Sequence, residues 1–269
     1  MKKSVLYFAL LALISLAACS KNEVEPEFNP SDRGSLTLEF DNYAGTTNFA
    51  FGQEYTNAVG EKFKVDLLQY FISNIKLKDE TGKEYVVPQD QSYFLVTEQD
   101  AASQKITLTG LPAGNYAEVT FTIGVDSLRN TAEVSKRTGA LDIGGAAKGM
   151  YWSWNSGYIF FKMEGTSVVA PVGTDGQQRF RYHIGGFGGF SSRTINNVRS
   201  TTLSLGKDRA KVRKDVTPKI HLVVDILKAL NGTTNVSIAT NPTVMFSPFS
   251  VNIANNYVKM FEYHHVHNN

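Results

Sequence analysis

Leu36, Leu38 and Phe40 alternate with Thr37, Glu39 and Asp41 near the start of the chain. A period of two is the pattern of a strand with one buried face, because successive side chains point to opposite sides. The signal recurs. Phe71-Ile72-Ser73-Asn74-Ile75-Lys76-Leu77 runs into a turn at Asp79-Glu80-Thr81-Gly82 and returns through Glu84 to Val87, which predicts a hairpin. Ile106-Thr107-Leu108 leads through Gly110-Leu111-Pro112-Ala113-Gly114-Asn115-Tyr116 into Val119 to Ile123. Pro112 presets φ for a turn there, and Gly114 can take positive φ. Further strands are predicted over Tyr158 to Met163, Phe180 to Ile184, His221 to Leu227 and Val244 to Phe246. Short helices are expected within Glu54 to Lys64 and Ile253 to Phe261. The sequence has no long amphipathic helix and no internal repeat. The fold class is therefore all-β, an antiparallel Greek-key β-sandwich with long loops and at most short helices. One domain is expected over residues 34–269.

The single cysteine, Cys19, follows Leu16-Ala17-Ala18 at the end of an apolar run that begins after Lys2 and Lys3. A basic start, an apolar centre and small residues before the cut resemble a bacterial lipoprotein signal peptide over residues 1–18. The resemblance implies cleavage before Cys19 and acylation of its sulfur, with the protein anchored outside the cytoplasm on an outer-membrane, periplasmic or cell-surface face. The apolar stretch is short for a transmembrane span, which needs roughly 20 residues. Residues 19–33 carry Pro26 and Pro30, lack periodicity and read as a tether.

With Cys19 acylated no thiol remains, so disulfides, thiolate metal sites and cysteine nucleophiles are excluded. The chain has 27 basic and 25 acidic side chains. Two of the basic ones lie in the leader, so the mature chain is balanced and has no excess of basic charge to recommend nucleic acid as a partner.

The most distinctive segment is Gly149-Met150-Tyr151-Trp152-Ser153-Trp154-Asn155-Ser156-Gly157-Tyr158-Ile159-Phe160-Phe161-Lys162-Met163-Glu164-Gly165, which holds both tryptophans. Phe180-Arg181-Tyr182-His183-Ile184-Gly185-Gly186 follows it. Phe121-Thr122-Ile123-Gly124-Val125-Asp126-Ser127 and Tyr70-Phe71-Ile72-Ser73-Asn74-Ile75-Lys76-Leu77 precede it. Together these segments resemble the MbnP-like copper-binding family, in a Bacteroidetes-type member, over nearly the whole chain from about Ser35. The resemblance implies an extracytoplasmic β-sandwich that is not an enzyme. It also implies one copper ion held by histidines and by a kynurenine made from a tryptophan, and a di-haem cytochrome c peroxidase-type partner that oxidises that tryptophan.

Carried over by motif, His183 is the histidine before Ile-Gly-Gly, and Trp154 or Trp152 is the tryptophan open to oxidation. The family's other histidine falls on the first strand, where this chain reads Phe40-Asp41-Asn42-Tyr43-Ala44-Gly45 and places Asn42. A neutral amide is a poorer copper ligand than imidazole, so His183 alone would hold copper weakly. If the family site is intact, Asn42, His183 and the tryptophan segment lie close together.

The tail Tyr263-His264-His265-Val266-His267 offers an alternative metal site, because His265 and His267 share a face in extended backbone. His221, beside Leu222-Val223-Val224, reads as a structural strand residue. Gly185-Gly186-Phe187-Gly188-Gly189-Phe190 lacks the Lys-Ser/Thr of a phosphate loop and reads as a flexible turn. No nucleophile elbow is present, and Asp126, Ser127, Glu164 and Asp225 find no catalytic partners in the sequence. A second function class stays open beside copper handling: a surface lipoprotein that binds a ligand or a protein through aromatics such as Tyr151, Phe187 and Phe190.

Overall fold

The computed structural model describes residues 28–152 and 155–269. Cys19, the expected leader, most of the tether and Trp154 lie outside the described residues. β1 (Arg33–Ala44) is followed by the short β2 (Thr47–Asn48) and β3 (Glu54–Thr56). The long β4 (Lys62–Asp79), β5 (Glu84–Val86), β6 (Tyr93–Thr97), β7 (Lys105–Pro112) and β8 (Gly114–Ile123) come next. After α1 (Ser127–Asn130) the chain forms β9 (Tyr151–Trp152), β10 (Gly157–Thr166), β11 (Arg179–Gly185) and β12 (Arg199–Ser204). Then come β13 (Ala210–Val212), β14 (Lys219–Asp225), β15 (Thr243–Val244), α2 (Ser250–Tyr257) and β16 (Phe261–His267).

These strands make two curled sheets. One runs β16-β14-β1-β2 with β7 also on β1. The other runs β12-β8-β4-β10-β11-β15, with the remaining short strands alongside. The all-β expectation holds. Most ladders are antiparallel, but β1 with β14 and β11 with β15 run parallel. Both parallel pairs join strands far apart in sequence, which the crossover geometry of parallel pairing requires.

Alternation does the work predicted of it. Leu36, Leu38 and Phe40 of β1 are fully buried, while Thr37, Glu39 and Asp41 face outward. The Phe40 ring meets Phe121, Phe261 and Tyr70 edge-on, with centroids 5.6, 6.1 and 6.5 Å away. Phe40 and Phe261 belong to one sheet, Phe121 and Tyr70 to the other, so these rings join the two. Each such pair contributes about 0.5–1.5 kcal/mol beyond the area it buries. A smaller cluster around Phe71, Met150, Tyr158 and Phe160 lies on the opposite side of the second sheet.

Three local expectations change. Glu54 to Lys64 is not helical but a hairpin, with Tyr55 opposite Phe63 and Gly60 turning at φ +83°. The helix near the C terminus ends at Tyr257, and Phe261 already belongs to β16. In the β7–β8 corner the positive φ belongs to Gly110, at +69°, and not to Gly114. That corner is closed by the Tyr116 hydroxyl, which donates to the Pro112 carbonyl at 2.9 Å. Among the described residues, no helix is long and apolar enough to cross a membrane.

Candidate metal centre

Asn42 and His183 are not brought together. Asn42 is in phase with Phe40 and is buried. Its amide donates to Glu98 Oε2 at 2.8 Å, and its carbonyl accepts from the Tyr70 hydroxyl at 3.0 Å. Asn42 thus points into the main core, with both ends of its side chain engaged. His183 alternates with Tyr182 and Ile184, which face that same core, so its ring lies on the other side of the sheet. There it pairs across the ladder with Lys162, and its Nε2 lies 2.7 Å from Glu164 Oε1. Burial pushes the His183 pKa down, with Lys162 and Arg181 acting in the same direction and Glu164 opposing them. A neutral ring next to an acceptor-only carboxylate carries its proton on Nε2 and donates it.

Trp152 of β9 packs edge-on against Phe246, with centroids 6.2 Å apart. A Cβ at Gly185 would come within 2.8 Å of the Trp152 ring, so the absence of a side chain there makes room for the indole. Gly185 and His183 are two apart on β11 and share a face. The structure therefore sets Trp152 and His183 on one side of the sheet and Asn42 on the other. The metal geometry that the family resemblance implied for Asn42 with His183 does not fit these residues.

A different set of imidazoles does converge. On β14, Ile220, Leu222 and Val224 fill the core, which leaves His221 on the outward face. β16 runs antiparallel beside it, with His265 opposite His221 and Tyr263 opposite Leu222. Two steps along β16 thus match one along β14, and His264 is the extra residue of a β-bulge. Such a bulge re-aims a side chain that strict alternation would send to the opposite face. The His221 and His265 rings stack at 4.8 Å, and the His264 ring lies 5.3 Å from His221 and 4.8 Å from His265. One ligand nitrogen from each of the three lies within 4.8 Å of the others. His264 Nδ1 is 2.7 Å from His265 Nδ1, and His265 Nε2 is 2.7 Å from His267 Nε2.

β1 supplies the support. Asp41 faces outward one residue before inward-facing Asn42, and its Oδ2 lies 3.1 Å from His221 Nε2. The other ring nitrogen of His221, Nδ1, is buried with no hydrogen-bond partner. Slight desolvation and the three neighbouring imidazoles hold the His265 pKa below the usual histidine range. A neutral imidazole keeps one lone pair for a metal, and clustered imidazole nitrogens suit copper, zinc and nickel.

Of the tail pair read from the sequence, His265 joins the cluster directly, and His267 touches it from the far side of the His265 ring. His221, which reads from sequence as a structural strand residue, is its half-buried corner, and the sequence does not single out His264 or Asp41. Outward phase between Ile220 and Leu222 was the available signal for His221. Nothing in the sequence marks the bulge that turns His264.

The fold and this patch define an all-β, two-sheet protein with a nitrogen-rich surface cluster able to hold a transition metal. The family model for MbnP matches residues 33–246, and the chain belongs to the MbnP family. Among solved structures, MbnP from Methylosinus trichosporium shares the fold, with a TM-score of 0.56 and 17% sequence identity over 88% of this chain and 99% of that one. No curated protein matches the sequence.

Proposed function

We propose that this chain is a copper-binding, non-enzymatic lipoprotein of the MbnP family, anchored through Cys19 outside the cytoplasm and engaged in copper handling. The observation that carries the reading is the convergence of three histidine rings on one sheet face in a chain of this family. Copper(II) stands at the top of the divalent affinity order for nitrogen sites, which makes imidazole clusters natural sites for it. The proposed partner is a di-haem cytochrome c peroxidase-type enzyme that oxidises a tryptophan of the Trp152-Ser153-Trp154 segment. His183, on the same side of the sheet as Trp152, supports that part of the reading.

The test is intact-mass analysis with metal quantification on the full chain purified from its native host. Acyl mass on the Cys19 terminus, tryptophan oxidation and about one copper per chain are expected. A chain that carries no copper, and takes none up on titration, sinks the copper reading and leaves the ligand-binding alternative. A Cys19→Ala chain that still fractionates with membrane would remove the lipid anchor.

A further inference from the structure

We infer that the copper ion is held at the outward face of β14 and β16 by the Nδ1 atoms of His221, His264 and His265, independently of any tryptophan oxidation. The inference rests on the copper reading above and gives it a site that differs from the one implied by resemblance.

The tautomers select the ligand atoms. A neutral imidazole has one N–H and one lone pair. Asp41 can only accept, so His221 Nε2 carries the proton and its lone pair sits on Nδ1, the atom that is buried and unpartnered. An unpaired buried acceptor is costly, on the order of 1–3 kcal/mol, unless something binds it. His265 repeats the arrangement. Its Nε2 faces His267, which leaves Nδ1 to face His264 Nδ1 at 2.7 Å. Nitrogens bound side by side to one ion at about 2.0 Å lie roughly 2.8–3.3 Å apart, so the His264–His265 pair is already near ligand spacing. Asp41 and His267 then act as outer partners that fix ring orientation, the usual support of a metal-bound histidine. His264 is exposed, so the side of the ion away from the sheet is open to water or an exchanging ligand.

The place of the site in the chain supports its independence. His264 and His265 lie beyond the segment that the family model matches. The cluster lies on the outward face of the first sheet, while Trp152 and His183 line the outer side of the second sheet.

The test is copper(II) titration of the full chain produced without any di-haem partner, followed by electron paramagnetic resonance. Wild type and His183→Ala are expected to bind one copper equally, with hyperfine structure from three nitrogens. His221→Ala leaves the His265–His267 pair intact and should weaken binding at least tenfold, as should His264→Ala. Asp41→Asn keeps the shape but weakens the acceptor, and should cost about 10- to 100-fold while retaining the three-nitrogen spectrum. Thermal unfolding without metal checks that each variant folds like wild type. If His183→Ala loses copper while His221→Ala keeps it, the site is wrong and the copper function stands. Loss of affinity for His265→Ala but not for His221→Ala reduces the cluster to an adventitious tail chelate and also overturns the inference. If wild type binds no copper under any condition, the functional reading fails with it.

Discussion

Asn42→Ala should damage the fold and leave copper alone. The Asn42 side chain bridges Glu98 Oε2 and the Tyr70 hydroxyl at 2.8 and 3.0 Å, and Tyr70 is fully buried. Removing the amide leaves the Tyr70 hydroxyl with no acceptor, a cost of about 1–3 kcal/mol. Glu98 still receives Gln104 at 3.1 Å, so its loss is smaller. With the small void added, the expected destabilisation is about 2–4 kcal/mol, large against a typical total of 5–15 kcal/mol. Tyr70→Phe removes the stranded hydroxyl, so in the double variant the costs should fall short of their sum by roughly 1 kcal/mol. Equilibrium urea unfolding of wild type, both single variants and the double variant measures this cycle, and copper titration runs in parallel. Strict additivity, or a loss below about 0.5 kcal/mol for Asn42→Ala, would refute the bridging role. A fall in copper affinity with the fold intact would return Asn42 to the metal site. By the same logic Asn42→His should not create copper affinity at His183, because the new ring would face the core.

Gly185→Ala places a Cβ 2.4 Å from the Tyr158 carbonyl oxygen and 2.8 Å from the Trp152 ring, so it should cost about 1–3 kcal/mol and shift tryptophan fluorescence; an unchanged melting curve and spectrum contradict the packing. Phe40→Ala removes the ring that meets partners from both sheets and should cost about 3–5 kcal/mol in the same urea assay. Copper at a hundredfold excess over its Kd should stabilise the chain by about 2.7 kcal/mol, and a chelator should reverse the gain in melting temperature. Burial, reinforced by the Asp41 charge and opposed by hydrogen bonds from Asn42 and Gln104, holds the Glu98 carboxyl above its ordinary range. The folded chain therefore keeps this proton after the unfolded chain has released it, and stability falls as pH rises from the usual glutamate range through the raised value. Glu98→Gln should flatten that slope in melting temperatures taken across acid to neutral pH, and an unchanged slope counts against it.

The strands and their inward faces are legible where burial imposes a period of two, as along β1 at Leu36, Leu38 and Phe40 and along β11 at Phe180, Tyr182 and Ile184; β4 breaks the period between Ile72 and Ile75, and β10 is buried on both faces from Gly157 to Phe161. The hairpin over Glu54 to Lys64 reads as helix in the sequence because Tyr55 and Phe63, eight residues apart, suit either structure locally; only their cross-strand pairing decides it. The site was half legible. The inward phase of Asn42 is legible and is what the structure shows, but inward is the face of the sandwich away from His183. Residue phase gives a side of a strand and not which other strands look onto that side. His265 is legible because histidine is conspicuous in a tail. His264 is not, because alternation assigns neighbours to opposite faces, and a bulge breaks that rule at one point.

The same rule explains how one strand can serve both the core and a metal site. Along β1, Phe40 and Asn42 face the rings that join the sheets, while Glu39 and Asp41 face β14's outward side chains. Because β14 runs parallel to β1 with Glu39 opposite His221, Asp41 lies one step along the same face and within reach of the imidazole. A one-residue slip in that register would exchange the two faces, burying the carboxylate and exposing Phe40. The buried alternation of β1 therefore fixes where Asp41 stands, and Asp41 fixes which nitrogen His221 offers. If that chain of cause holds, Asp41→Asn weakens copper without moving the urea midpoint of the metal-free protein, whereas Phe40→Ala moves the midpoint and leaves the affinity of the remaining folded protein near wild type. Coupled losses in both variants would show that the cluster depends on the general integrity of the sheet and not on this carboxylate.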